Sequence, residues 1–228
     1  MDTYGVSSTH TYVYRQSATR ITILAHLFGI TAIILLLVWL LHFREGIHLD
    51  SDNPFRIFNV HPFMMFFGFI FFVGEAMMVY KTVPAPRNVQ KIVHLLLHLL
   101  AIAFGIIGLH AVFKFHSKAN FANLRSLHSW IGIGTFSLFI LQWLFGLVTF
   151  MVPGSTTGTR ARAAPWHISG GRALFYMAII AAETGLMEKV TLLELQYSTE
   201  TRLINFLGLA ILLFGITVDL SVALARYV

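Results

Sequence analysis

The chain contains no cysteine. That excludes disulfides, iron–sulfur clusters and covalent haem attachment through a C-x-x-C-H motif. Charge is scarce as well: Asp, Glu, Lys and Arg make up 11% of the 228 residues, and only ten of those are acids. A soluble domain of this length would carry more. No basic-aromatic run suggests a nucleic-acid partner. The first twenty residues are polar and lack the apolar segment of a cleavable signal peptide. The first hydrophobic run is therefore expected to act as an uncleaved signal anchor.

Apolar sequence is what the chain has in quantity. Hydrophobic residues make up 57% of it, with a mean hydropathy of +0.74. Six stretches are long enough to cross a hydrocarbon core, which takes about 20 residues. They are Ile21–His42, Ile57–Tyr80, Ile92–Phe115, Leu127–Val152, Trp166–Leu186 and Leu203–Leu224. In lipid each must be helical, because every backbone polar group needs an internal partner. The expected fold is all-α: a six-helix transmembrane bundle over residues 21–226, after an N-terminal tail over residues 1–20 that includes His10. Little remains for a soluble domain, so function must reside in the bundle and its short loops.

Six spans put both termini on one side. The loops joining spans two to three and four to five carry Lys81, Arg87, Lys91, Arg160 and Arg162 and no acid. The positive-inside rule places these loops and both termini in the cytosol. Glu45, Asp50, Asp52, Glu188, Glu194 and Glu200 fall on the other side, along with Arg44, Arg56, Lys114, Lys118, Arg125, Lys189 and Arg202. The net charge of +6 reads as membrane topology plus an anion-attracting face.

Four histidines lie just inside the starts of four consecutive spans: His61, His94, His128 and His167. Spans two and four start on the outer side, so His61 and His128 share one depth. Spans three and five start in the cytosol, so His94 and His167 share another. At 1.5 Å per residue the two levels should lie roughly 20–25 Å apart. Two imidazoles per level suit the axial positions of a haem iron. Zinc also takes imidazole, but normally with three or four protein ligands. Helix-end capping is the plainer reading of any one of these histidines. His98 follows His94 by one turn and competes with it as ligand; His94 is preferred because its depth matches His167. His26, His42, His48 and His110 read as packing or helix-end residues.

Several short segments then become recognisable. Ala76-Met-Met-Val-Tyr-Lys81 and Ser126-Leu-His-Ser-Trp130 resemble the two signature segments of the cytochrome b561 family. Asn59-Val-His-Pro-Phe-Met-Met65, Pro165-Trp-His167 and Tyr197-Ser-Thr199 are similar to it too, and the resemblance covers all six spans. It is closest to the plant members, which are ascorbate-dependent.

The resemblance implies four central helices holding two non-covalent b-type haems, ligated by His61, His128, His94 and His167. It implies a homodimer; vacuolar, vesicle and plasma membranes all stay open. It implies that cytosolic ascorbate reduces the inner haem, and that the outer haem passes single electrons to monodehydroascorbate or ferric chelates. Ascorbate contacts fall on Lys81, Arg87, Lys91 and Arg160, and the outer acceptor site on Phe115 and His116. Lys91, Arg160 and His116 carry the catalytic expectations. The signature segment often ends in arginine; Lys81 keeps the charge but not the planar fork.

Glu75 and Glu183 are costly inside a membrane. Each is expected to approach a haem propionate through water, to pair with a basic residue or to reach for the interface. Asp219 has no expected role. The Phe-rich second span and Trp143 read as packing, and Gly68, Gly105, Gly132 and Gly134 as points where helices or a haem plane come close. Two other functions remain open on the residues alone. One is the haem subunit of a quinol-linked complex; the other is a transporter lined by histidines and carboxylates.

Overall fold

Six helices account for the structure, a computed structural model that describes residues 8–224, with side chains from residue 19 onward. Helix α1 runs over Ser8–Val38 and continues as a π-helical turn over Trp39–Phe43. Helix α2 covers Pro54–Thr82, α3 Arg87–Ala119, α4 Leu127–Phe150, α5 Thr157–Leu192 and α6 Thr199–Leu224. No strand occurs among the described residues. Arg226 and the side chains of His10 and Arg15 lie outside them.

The helix ends follow local chemistry. Asn53 accepts the Phe55 amide at 2.9 Å, with Pro54 at the first helical position, where an N–H would have no partner anyway. Ser126 and Ser129 cap α4 reciprocally, and Thr156 accepts the Thr159 amide to start α5. Helix α3 ends at Asn120, which takes the left-handed conformation (φ 56°) that asparagine tolerates.

Helix α1 begins at Ser8, well ahead of the apolar stretch expected from Ile21. Five helices are long and apolar enough to cross a membrane: Thr19–Phe43 of α1, then α2, α3, α4 (to Met151) and α6. Helix α5 is the departure. Arg172, Glu183 and several small residues dilute its apolar content. It is 36 residues long, or about 54 Å, and runs antiparallel to α4 with contacts near both ends of that helix. Its length suffices to span, and its Arg172 is taken up by Asp219 of α6.

Helix α2 is irregular for identifiable reasons. Pro62 has no N–H, so the helix is broken at Asn59. Met64–Phe71 then forms a π-helix, whose wider turn spreads its phenylalanines. Phe69 meets Phe136 (5.4 Å between ring centres) and Phe139 (4.9 Å), and Phe71 stacks on Phe214 (5.8 Å). The Phe-rich span does serve packing.

Helices α2, α3, α4 and α5 form a central group, each against the next, with α2 also touching α5. Helix α6 packs on α5 and α2, and α1 lies along α6. Trp39, Leu40, Phe66, Phe175 and Phe214 are buried where these helices meet. Leu27, Ile34, Leu141, Val148, Phe206 and Leu209 point outward, as lipid-facing residues should. The buried Asn59 donates to the Arg44 and Gly46 carbonyls, both at 2.7 Å, and so ties the loop after α1 to α2. Below, the end where α2 and α4 begin is called outer, and the end where α3 and α5 begin inner.

Candidate functional site

The bundle brings the four histidines together as two pairs. His61 of α2 faces His128 of α4 at the outer end, with ring centres 6.1 Å apart. His94 of α3 faces His167 of α5 at the inner end, with ring centres 6.3 Å apart.

Each ring is held by a neighbouring helix. His61 Nδ1 donates to the Gly108 carbonyl (3.0 Å), His94 Nδ1 to the Ala76 carbonyl (2.8 Å) and His128 Nδ1 to the Ala181 carbonyl (2.8 Å). A carbonyl can only accept, so these three Nδ1 atoms carry the proton and leave Nε2 as a lone-pair donor. His167 is held differently: the Gln142 amide lies 3.1 Å from its Nδ1 and donates to its backbone carbonyl at 2.6 Å. Two glycines make room for rings. A Cβ on Gly185 would lie 2.8 Å from His128 Cε1, and one on Gly146 would lie 2.8 Å from His167 Cε1.

These contacts repeat in a pattern. In the α2/α3 hairpin the outer histidine bonds to α3 and the inner histidine to α2. In the α4/α5 hairpin the outer histidine bonds to α5 and the inner one contacts α4. Ala181 and Gly185 on α5 stand to His128 as Gln142 and Gly146 on α4 stand to His167.

The donor sets fit haem. A metal–imidazole bond is about 2 Å, and the ring centre lies ~1.1 Å behind the nitrogen, so two imidazoles across one metal ion sit with centres about 6.2 Å apart. Both observed pairs match. The hydrogen bonds from Nδ1 to carbonyls are the outer-shell contacts that fix a ligating imidazole. Among the described residues, no group of three His, Asp or Glu side chains is arranged to hold a metal ion, whereas each pair offers two facing imidazoles.

His98 packs edge-on against His94, ring centres 4.4 Å apart, and against Phe139 at 5.4 Å. Its Nδ1 is buried without a hydrogen-bond partner among the described residues. It stands beside the inner pair, not across from His167.

A cavity of about 700 Å³ surrounds the inner pair, within the range of cofactor pockets. Lys81, Arg87 and Lys91 line it, with Tyr80, Gln142 and Trp143. The Arg87 guanidinium lies over the Tyr80 ring at 4.2 Å, and Tyr80 is 5.4 Å from the His94 ring. Lys81 donates to Thr22 of α1 at 2.8 Å, which turns part of its charge toward the α1/α6 side. Arg160 does not line the cavity; its Nε is buried without a hydrogen-bond partner among the described residues.

A second cavity, of about 360 Å³, surrounds the outer pair. Phe115, His116, Arg125, Glu188 and Lys189 line it. His116 Nδ1 donates to Asn123 Oδ1 at 2.8 Å, so its Nε2 is the acceptor. Lys114 and Lys118 are engaged elsewhere, holding the loop after α1: Lys114 donates to the Leu49 carbonyl and Asp50, both at 2.9 Å, and Lys118 to the Ser51 carbonyl at 3.0 Å. The Lys114 ammonium holds the Asp50 carboxyl below the usual carboxylate range.

Two of the intramembrane acids have polar partners, while Glu183 keeps a buried Oε1 without a hydrogen-bond partner among the described residues. Glu75 accepts from His26 of α1 at 2.9 Å. Glu183 lies against Gly208 of α6, where a Cβ would meet its Oε2 at 2.8 Å. Asp219 accepts from Arg172 Nη2 at 2.8 Å and from the Tyr176 hydroxyl at 3.0 Å. Gly68 and Gly105 pack against Phe104 and Phe136, whereas Gly132 and Gly134 face open space. Sequence reasoning missed Tyr80, Gln142 and Lys189 as site residues. Gln142 carried a signal, as the only amide in its apolar span.

Known proteins are similar to the chain over this region. Residues 60–193, the segment holding all four histidines, match the family model described as eukaryotic cytochrome b561. A rice protein described as probable ascorbate-specific transmembrane electron transporter 2 is 41% identical over 216 residues, covering 92% of both chains. The Arabidopsis transmembrane ascorbate ferrireductase 2 is 45% identical over 193 residues, 82% of this chain and 84% of its own. The pig transmembrane ascorbate-dependent reductase CYB561 is 40% identical over 199 residues, 85% of this chain and 78% of its own. With its histidine pairs in that matched segment and relatives aligned over most of its length, the chain belongs to the cytochrome b561 family.

Proposed function

We propose that this chain is a transmembrane oxidoreductase that takes single electrons from ascorbate at its inner end and delivers them to monodehydroascorbate or a ferric chelate at its outer end. The observation that carries the reading is the pair of facing imidazoles at each end of one bundle, with ring centres 6.1 and 6.3 Å apart, which would admit one iron between them. When bound, haem b between His94 and His167 and haem b between His61 and His128 would supply the one-electron carriers.

The protein's residues do the rest. Lys91, Arg87 and Lys81 give the inner cavity a positive wall, which concentrates and orients the ascorbate monoanion. Arg87, stacked on Tyr80, holds its charge beside the His94 ring. Arg160, in the first turn of α5 at the same inner end, adds to that field. The imidazoles need not rotate during transfer, because carbonyls clamp three of them and Gln142 contacts the fourth. At the outer mouth His116 presents Nε2 toward an incoming acceptor and can hold or hand over the proton that a reduced enolate needs. The inner end is cytosolic with both termini, and two copies assemble as a homodimer; both points rest on loop charge and family likeness.

Sorted proteoliposomes test the reading. Ascorbate trapped on the Lys91 side should reduce ferricyanide confined to the His116 side without a soluble mediator. In His116→Ala both haems should fill with electrons and empty slowly. No transfer by protein carrying both haems would overturn the proposal; normal emptying in His116→Ala would reassign the outer site to Arg125.

A further inference from the structure

The α4/α5 hairpin treats its two histidines alike until the next turn of helix. On α5, Ala181 accepts from His128, Gly185 gives its ring room, and Lys189 follows one turn outward. On α4 the matching series is Gln142, Gly146 and Phe150. Phe150 packs on His167 with ring centres 5.2 Å apart. A lysine at the outer end thus occupies the place of a phenylalanine at the inner end.

Lys189 is 8% exposed and lines the outer cavity. Its ammonium lies 3.8 Å from the centre of the Phe58 ring, which itself lies 6.1 Å from the His61 ring. Among the described residues it makes no close ion pair, although the Arg44–Glu200 pair acts on its charge from nearby with opposing signs. Glu200 is engaged by Arg44 and Trp39, and Glu188, which lines the same cavity, accepts from Ser126. The other basic groups of that cavity, Arg125 and His116, sit at its mouth beside Phe121. Burying an ammonium against aromatic faces costs desolvation that cation–π contact offsets only partly. A nearby group that becomes more negative would complete the compensation.

We propose that Lys189 is a positioning residue that makes the outer site the stronger electron acceptor of the two. With haem held at both pairs, the electron lost by the inner group would be the one gained by the outer group. Lys189 would then stand near the added negative charge, and no proton need move. An ammonium roughly 10 Å from that charge, at an effective dielectric of about 20, favours reduction about tenfold. The inner pair has Phe150 in the corresponding place and gains no such bias. The inference rests on the haem reading of the two histidine pairs.

Spectroelectrochemical titration of the purified di-haem protein tests it, with Lys189→Met and Lys189→Gln measured beside Lys189→Arg. Both neutral variants should shift the outer haem's share of a single electron about tenfold toward the inner haem, or about 59 mV for a one-electron couple. The inner potential should stay in place, and Lys189→Arg should behave as the parent. If the neutral variants lost the outer haem while Lys189→Arg kept it, the charge would still be what the site requires. An unchanged outer potential at full haem content, an equal shift at both sites, or outer-haem loss in Lys189→Arg would each overturn the inference. Absence of haem from both histidine pairs in the parent would instead overturn the reading beneath it.

Discussion

Gly185 lies so close to His128 that a Cβ there would sit 2.8 Å from the ring's Cε1 and 2.9 Å from its Nδ1. Since Nδ1 also donates to the Ala181 carbonyl, the ring cannot retreat without giving up that bond. Gly185→Ala should therefore tilt His128 out of line with His61 and weaken outer-haem retention about 10- to 100-fold, the range for disturbed outer-shell contacts. Haem content after dialysis against apomyoglobin would measure it. Gly146→Ala should do the same to the inner haem through His167. If both variants lost the same haem, the assignment of pairs to ends would be wrong.

His98 and His94 give opposite outcomes. His94→Ala should leave one haem per chain, with the inner spectrum missing. His98→Ala should keep two, because His98 stands edge-on beside His94 and does not face His167. A pyridine haemochrome assay against protein concentration decides the matter. One haem from His98→Ala and two from His94→Ala would reverse the ligand assignment.

Lys91→Ala should slow reduction by ascorbate without changing haem content. Loss of one charge–anion contact is worth about 1–3 kcal/mol, or roughly five- to hundredfold in affinity or rate. Arg160→Ala should fall toward the lower end, because Arg160 does not line the inner cavity. Stopped-flow traces with ascorbate and with an uncharged reductant make the comparison, and equal slowing with both reductants would count against an anion site.

The Asp50–Lys114 contact gives a pH prediction with a definite sign. The folded carboxyl is held below its ordinary value by the Lys114 hydrogen bond, with Lys118 adding to it. Its contribution is present at and above the ordinary carboxylate range and is lost only as pH falls through the lowered value. The loop after α1 should stay pinned to α3 through mild acidification. Lys114→Ala should return Asp50 to ordinary titration and release the Leu49 carbonyl. Carboxyl chemical shifts in nanodiscs, together with amide exchange of the loop, report both.

How far the sequence could reach follows from what each feature depends on. Depth in a membrane varies along one direction, so counting residues from the start of each span was enough to match His61 with His128 and His94 with His167. The hydrogen bonds that orient those rings are set by rotation about helix axes and by contacts such as His61 with Gly108, 47 residues apart. Position alone does not contain that information. Asp219 had no legible role because its partners, Arg172 and Tyr176, lie on another helix. Lys114 and Lys118 fall on the outer side close to His116 in sequence, yet loop carbonyls and Asp50 occupy them. The mixed character of α5 misleads hydropathy in part because Arg172 is neutralised sideways, by Asp219 47 residues away in sequence.

The mirrored hairpins have a consequence for directionality. Each hairpin offers nearly the same imidazole, the same kind of clamp and, in α4/α5, the same glycine at either end. A conductor built this way has no polarity in its frame, so it works as a wire and not as a diode. Rectification must come from the few positions where the two ends differ, such as Gln142 against Ala181 and Phe150 against Lys189, and from whichever molecules wait at each mouth. Reversing the redox gradient across the membrane should therefore drive the same protein backwards, with no rearrangement of its helices.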